Sequence, residues 1–177
     1  MRCVVLLRGI NVGGRDKVSM ADLRARLIRS FSDVRTYLQS GNLALDTDSG
    51  PDEVAVRVAD ELARTFGLAD ARRRVLVLDT DAYRRVIRAA PPGFGTEPDT
   101  YRYDVGFFLG VSAAEVKPHL DVHPDVDDVS VGEAAFYHRR LTALARRSRV
   151  ARGLLGTPVN ASLTIRNWRT VSALATL

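Results

Sequence analysis

The chain has 177 residues, enough for one ordinary domain or two small ones, and 46% of them are apolar. Its single cysteine, Cys3, rules out an internal disulfide, and no stretch approaches the ~18 apolar residues that span a bilayer. The net charge is +5, but every basic residue except Lys17 and Lys117 is an arginine. Beside so many Ala and Val that is the signature of GC-rich coding, so the basicity hints at anionic partners without establishing them.

The first apolar run, residues 2–8, reads as a doubly covered central strand with Cys3 as a buried thiol. It is too short for a secretory leader and is followed by Arg8-Gly9-Ile10-Asn11 with no small-residue cleavage site, so the cytoplasm is the expected location. A loop over residues 9–17 leads to a helix. Ser19 is its N-cap, Asp22 completes a capping box, and Val18 with Leu23 forms a hydrophobic staple. Met20, Leu23, Leu27 and Ile28 mark the buried face, and the helix ends near Ser30.

Residues 34–46 predict a hairpin with Ser40-Gly41 at its tip, so that Gln39 faces Asn42, Leu38 faces Leu43 and Arg35 faces Asp46. One face then carries Val34, Leu38, Leu43 and Leu45. The other is polar, with Arg35, Tyr37, Gln39, Asn42 and Asp46, and only one side is covered. Pro51 opens a second helix with Val54, Val58, Leu62 and Phe66 inward, and Gly67 closes it. Residues 75–78 form a strand. The order is β-α-β-β-α-β, the ferredoxin-like unit.

A helix over residues 81–90 turns Tyr83, Val86 and Ile87 inward, and Pro91-Pro92-Gly93-Phe94-Gly95 reads as a linker. The order then recurs. Residues 102–109 are a strand, and Ser112 with Glu115 caps a short helix that Pro118 ends. Residues 126–131 and 135–139 form a hairpin turning at Gly132-Glu133. A helix ends near Gly156, residues 159–164 are a strand, and residues 167–175 are a closing helix. The expected fold class is α+β, two tandem ferredoxin-like halves over residues 1–80 and 99–177, with residues 81–98 connecting them. No residue-level repeat links the halves.

Four places could carry chemistry. In Arg8-Gly9-Ile10-Asn11-Val12-Gly13-Gly14-Arg15, a Gly-rich loop runs from a strand to a helix, an arrangement that cradles phosphate on backbone N–H groups. Its spacing imitates a P-loop, yet Arg15 replaces the lysine and Asp16 the hydroxyl residue, so Mg²⁺-dependent phosphate chemistry is not implied. The alternative is a tight turn whose glycines supply positive φ. Because the first and second strands of such a unit run parallel, this loop and the tip Gln39-Ser40-Gly41-Asn42 should share one sheet edge. Arg8, Asn11, Gln39, Ser40 and Asn42 would then surround free backbone amides as an anion pocket, unless the tip side chains only cap their own turn.

The second place is Arg166-Asn167, where a helix N-terminus could face the ligand or Asn167 could cap the helix with Trp168 as anchor. The third is the basic run Arg139-Arg140, Arg146-Arg147-Ser148-Arg149 and Arg152, a solvated helix face or a phosphate-binding stripe. The fourth, His119, Asp121, His123 and Asp125, imitates metal-ligand spacing. Two prolines and no supporting cluster make it a surface loop, and no metal is expected. No Ser/His/Asp or Cys/His signature is present.

The motifs L-L-R-G-I-N-V-G-G, M-A-D-L-R, V-R-T-Y-L-Q-S-G-N and T-I-R-N-W-R-T-V resemble a widespread bacterial family of uncharacterised proteins, domain of unknown function 1697. The resemblance implies a two-domain ferredoxin-like architecture and no established reaction or cofactor. Where many members carry Ser followed by Lys or Arg, this chain has Ala151-Arg152, and Arg169 stands where Asn is commoner. Three functional readings stand together. The first is a small anionic ligand, nucleotide- or phosphate-like, at the Gly-rich loop and hairpin edge. The second is RNA or single-stranded DNA on an open sheet face carrying Phe107, Phe108, Phe136 and Tyr137. The third is a regulatory or scaffold protein without a ligand. No membrane partner is expected.

Overall fold

The first unit, Met1–Arg84 with Leu174–Leu177, follows the order β1 (Arg2–Leu7), α1 (Met20–Leu27), β2 (Ser32–Tyr37), β3 (Asn42–Asp46), α2 (Pro51–Phe66) and β4 (Val75–Asp79). The computed structural model describes every residue except Arg15. The strands lie in the order β2-β3-β1-β4, and every neighbouring pair is antiparallel. It follows that β1 and β2 point the same way with β3 between them.

Alternation sorts the strand side chains into two layers. Cys3, Val5, Leu7, Leu43, Leu45, Val34, Val75 and Val77 share one core with Met20, Leu23 and Leu27 of α1 and Val54, Val58 and Leu62 of α2. Val4, Leu6 and Ala44 alternate with them and are buried as well. Each buried Val, Leu or Met among them contributes about 1.5–3 kcal/mol by leaving water.

The helix ends are set locally. Ser19 Oγ accepts from Asp22 N, Pro51 occupies the first turn of α2, and Gly67 closes it at φ +70°. Ile28 departs from expectation. It is the C-cap of α1, past the last full turn, and is 53% exposed.

The hairpin also differs from its predicted register. Tyr37, not Gln39, pairs with Asn42, and Arg35 pairs with Ala44. The turn therefore spans four residues, 38–41, and the register shifts between Ser32 and Arg35. Leu38 adopts φ +58° and sits 56% exposed, so it caps the turn instead of joining the core. Asn42, expected on a solvated face, is 0% exposed because β3 is an inner strand.

The second unit, Arg85–Ala173, begins within α3 (Thr80–Arg88). It continues through β5 (Tyr101–Phe108), α4 (Ala113–Val116), β6 (Asp127–Val131), β7 (Ala135–Leu141), α5 (Val150–Leu154), β8 (Leu163–Asn167) and α6 (Trp168–Leu174). Its strand order, β6-β7-β5-β8, matches that of the first unit position for position. Phe108, Phe136 and Leu163 pack with Val116, Val150, Leu154 and Val159 on one face of this sheet. Gly106 is required there, since a Cβ would lie 2.1 Å from the Phe136 ring.

Residues 91–95, expected as a linker, carry Phe94 edge-on against Tyr103 at 4.9 Å, Trp168 at 5.2 Å and Tyr137 at 5.8 Å. The last strand starts later than predicted. Residues 158–162 form a 3-10 turn behind Pro158, which places Arg166 and Asn167 inside β8. Among the described residues no helix is long and apolar enough to cross a membrane.

Candidate functional site

The loop after β1 and the hairpin tip meet at one edge of the first sheet. Leu7 N donates to Gly41 O at 2.7 Å, and Asn11 Nδ2 donates to Gln39 O at 2.7 Å. The approach is too close for any side chain at residue 41. Gly41 has φ +76°, and a Cβ there would stand 2.7 Å from Leu7 Cβ.

Asn11 closes the loop on itself. Its Nδ2 also donates to Val18 O at 2.8 Å, while its Oδ1 accepts from Val18 N at 2.8 Å. Asn42 Nδ2 donates to Tyr37 O and to Ser40 Oγ, each at 3.0 Å. Both amides that the sequence offered as ligand contacts are therefore engaged in building the two turns. Gly13 and Gly14 are exposed at positive φ with open space beside them, and Gln39 and Ser40 are exposed. Arg15 lies outside the described residues.

The 3-10 turn Ala71–Arg74, just before a third strand, adds a group that sequence reading missed. Because β4 runs antiparallel to β1 and Val75 pairs with Leu7, Arg74 arrives beside Arg8. Arg74 is ion-paired with Asp16 at 2.6 Å and Asp70 at 2.7 Å, and it donates to Gly9 O at 3.2 Å. Burial and the Arg74 charge both hold the partly buried Arg8 guanidinium below its ordinary pKa, with Asp70 opposing them. The signal was present in Arg72-Arg73-Arg74 preceding an antiparallel strand.

Arg166 and Asn167 belong to the second unit. Asn167 Oδ1 accepts from Thr170 N at 2.8 Å and so caps α6. Arg166 Nη1 donates to Thr164 Oγ1 and Ile165 O, each at 2.9 Å.

The second unit also holds a buried ionic knot that no local pattern announced. The Asp127 carboxylate accepts from His123 N at 3.0 Å, Arg149 N at 3.0 Å, the Ser148 hydroxyl and His138 Nε2 at 2.9 Å. Burial alone would raise its pKa, but these four donors outweigh it and hold the carboxyl at about 2. His138 Nδ1 lies 3.3 Å from Arg140 Nη1. A guanidinium only donates, so Nδ1 is the acceptor and the ring proton sits on Nε2, aimed at Asp127. Burial leads in lowering the His138 pKa, and the Arg140 charge adds to it against the pull of Asp127.

This knot corrects two expectations. His123 is not on a surface loop but buried, its Nδ1 accepting from Asp125 N at 3.2 Å. Among the described residues no group of three His, Cys, Asp or Glu could hold a metal ion. The basic run is not one helix face either, because Ala145–Arg147 is a 3-10 turn and α5 begins only at Val150. Arg139 pairs with Asp128 at 2.7 Å and lies 4.7 Å over Tyr101, while Arg140 pairs with Asp104.

Over 99% of its length the chain resembles the solved structure of the conserved bacterial protein SP0830 from Streptococcus pneumoniae, with a TM-score of 0.82, 23% identity and 97% of that chain covered. At that identity the likeness concerns the fold. No curated protein matches the sequence. The family described as protein of unknown function (DUF1697) matches residues 1–137, and the chain belongs to it.

Proposed function

We propose that this protein binds a small anionic ligand, phosphate- or nucleotide-like, at the loop edge of its first unit. The carrying observation is a partly buried guanidinium, Arg8, held beside a second one, Arg74, at the foot of a loop that opens Gly13 and Gly14 to solvent. An anion there would meet two neighbouring guanidiniums, of which Arg74 is already shared by Asp16 and Asp70, and backbone N–H groups of glycines with open space beside them.

Backbone strain at the same edge supports the reading. Asn11, Asp16 and Leu38 hold φ of +54°, +48° and +58°, and non-glycine residues kept in that region cluster at ligand clamps. We also read both halves as ferredoxin-like units, on the strength of their shared strand order. The nucleic-acid reading has less behind it. Phe107, Phe108, Phe136 and Tyr137 are all buried, so none of these four rings offers a base a face to stack on.

The test is calorimetric titration of the protein with inorganic phosphate and adenosine monophosphate. One charge-assisted hydrogen bond contributes about 1.5–3 kcal/mol, so Arg8→Ala should weaken binding roughly tenfold or more. Its melting temperature should barely move, since the loop is tied by Asn11 and Gly41. Unchanged affinity combined with a clear loss of melting temperature would make Arg8 a structural residue and place the site elsewhere.

A further inference from the structure

We propose that the second unit carries an anion site of its own, an arginine-lined trough for a small molecule bearing two or more phosphate groups. Two adjoining cavities form it. One, of about 340 Å³, is walled by Arg140, Arg146 and Arg152, with Phe136, Val150 and Ile165 as its apolar side. The other, of about 440 Å³, shares Arg140 and Arg146 and adds Arg102 and Arg147. Each is of the size that encloses a small molecule.

Charge and hydrogen bonding point to phosphate. Asp104 is the only carboxylate in either wall, and it is already paired with Arg140. The guanidinium groups of Arg146 and Arg152 make no hydrogen bond or ion pair with the described residues. In the second cavity the Thr142 hydroxyl is buried and has no partner among the described residues. Such a group is costly to leave unmatched and is satisfied by a ligand oxygen. The Ser148 hydroxyl also lines the first cavity but is bound to Asp127, so it is not a ligand donor.

The trough is held in shape from behind. Asp127 fixes His138, whose Nδ1 accepts from Arg140 Nη1, and Asp104 pairs with the same Nη1. The same carboxylate receives the Ser148 hydroxyl and Arg149 N, which pins the turn Ala145–Arg147 that bears Arg146. A single buried anion thus holds the Arg140 guanidinium through His138 and sets Arg146 through the backbone of its turn, which leaves the Arg146 fork to close on a phosphate oxygen. The two cavities side by side suit two phosphate groups, and the apolar wall suits the organic body attached to them.

The experiment is calorimetric titration of the full chain with pyrophosphate, adenosine diphosphate, adenosine monophosphate and a single-stranded oligonucleotide, at one fixed near-physiological salt concentration. The diphosphates should bind more tightly than the monophosphate. Arg146→Ala combined with Arg152→Ala should weaken them by about a hundredfold or more, two charge-assisted contacts being lost. The melting temperature should hold, because neither guanidinium supports the fold. Arg8→Ala should leave diphosphate affinity within about twofold, which separates this site from the loop edge. Diphosphate affinity that survives the double variant, falls equally with Arg8→Ala, or is absent from the start overturns the proposal. Tighter binding of the oligonucleotide than of adenosine diphosphate overturns it too.

Discussion

The two units share element order and strand order, yet they tie their loops to their sheets by opposite means. In the first, the two buried-amide knots are neutral, and the ion pairs of Arg74 with Asp16 and Asp70 lie beside them nearer the surface. Asn11 and Asn42 satisfy backbone carbonyls and an N–H, and Gly41 lets the two turns touch. In the second, the knot is a buried charge, with Asp127 receiving four donors from a loop, a strand and a turn. An amide knot costs little to desolvate and works wherever the backbone already bends. A buried carboxylate costs far more and is tolerated only when every lone pair is matched. The gain is precision over a larger span, because one anion orients groups from three segments. That difference sets a buried, fully matched carboxylate at the centre of the second unit's loops, where the first unit uses buried amides.

The comparison can be broken most directly at Asp127. Asp127→Ala removes the acceptor for four donors in a site closed to water, and such losses cost about 3–5 kcal/mol. Chemical denaturation should show it as a large drop in midpoint, with Asp127→Asn intermediate. A loss below about 1 kcal/mol would mean that water replaces the carboxylate and the knot is not essential.

Asn42→Ala should come next. It strips a fully buried amide from Tyr37 O and Ser40 Oγ, leaving the carbonyl of an inner turn unmatched at a cost of about 1–3 kcal/mol. If its effect equalled that of Asp127→Ala, the distinction between neutral and ionic knots would fail.

Acid sharpens the contrast more gently. His138 is neutral in the fold with a lowered pKa, so protons bind the unfolded chain better, and stability falls as pH drops below its ordinary 6.5. Asp127 titrates at about 2 when folded against an ordinary 3.8, so its contribution, roughly 2 kcal/mol, is full above that ordinary value and lost toward pH 2. Melting curves should therefore show a first decline below pH 6.5 and a second below pH 4. His138→Gln should flatten the first, while the second persists because His123 N, Arg149 N and Ser148 still hold Asp127.

The elements that could be read in advance are those whose cause is local. Pro51 and Gly67 at the ends of α2 and the complete capping box of Ser112 and Glu115 each act within one helical turn and stand where expected, and of the box expected at Ser19 and Asp22 the structure forms the half in which Ser19 Oγ accepts from Asp22 N. The meeting of the 9–14 loop with the hairpin tip was also legible, because strand direction follows from element order alone. The hairpin register was not. It depended on Leu38 taking a left-handed conformation that leucine usually avoids, which stretched a two-residue tip to four. Arg74 was visible as a residue but not as a neighbour of Arg8.

By itself, then, the amino-acid order determined the helices, the strand count in each half and the edge where two polar loops converge, because capping, periodicity and chain direction operate over a few residues. Only the tertiary structure decided what those polar groups are doing. Asn11 and Asn42 turned inward since the backbone beside them had unmatched carbonyls. The Asp127–His138–Arg140 chain required the register of β6 on β7, which sets Asp127 opposite Arg140 and diagonal to His138. Register of that kind is chosen by the packing of the whole sheet face against its helices, an energy summed over distant residues that no local window contains.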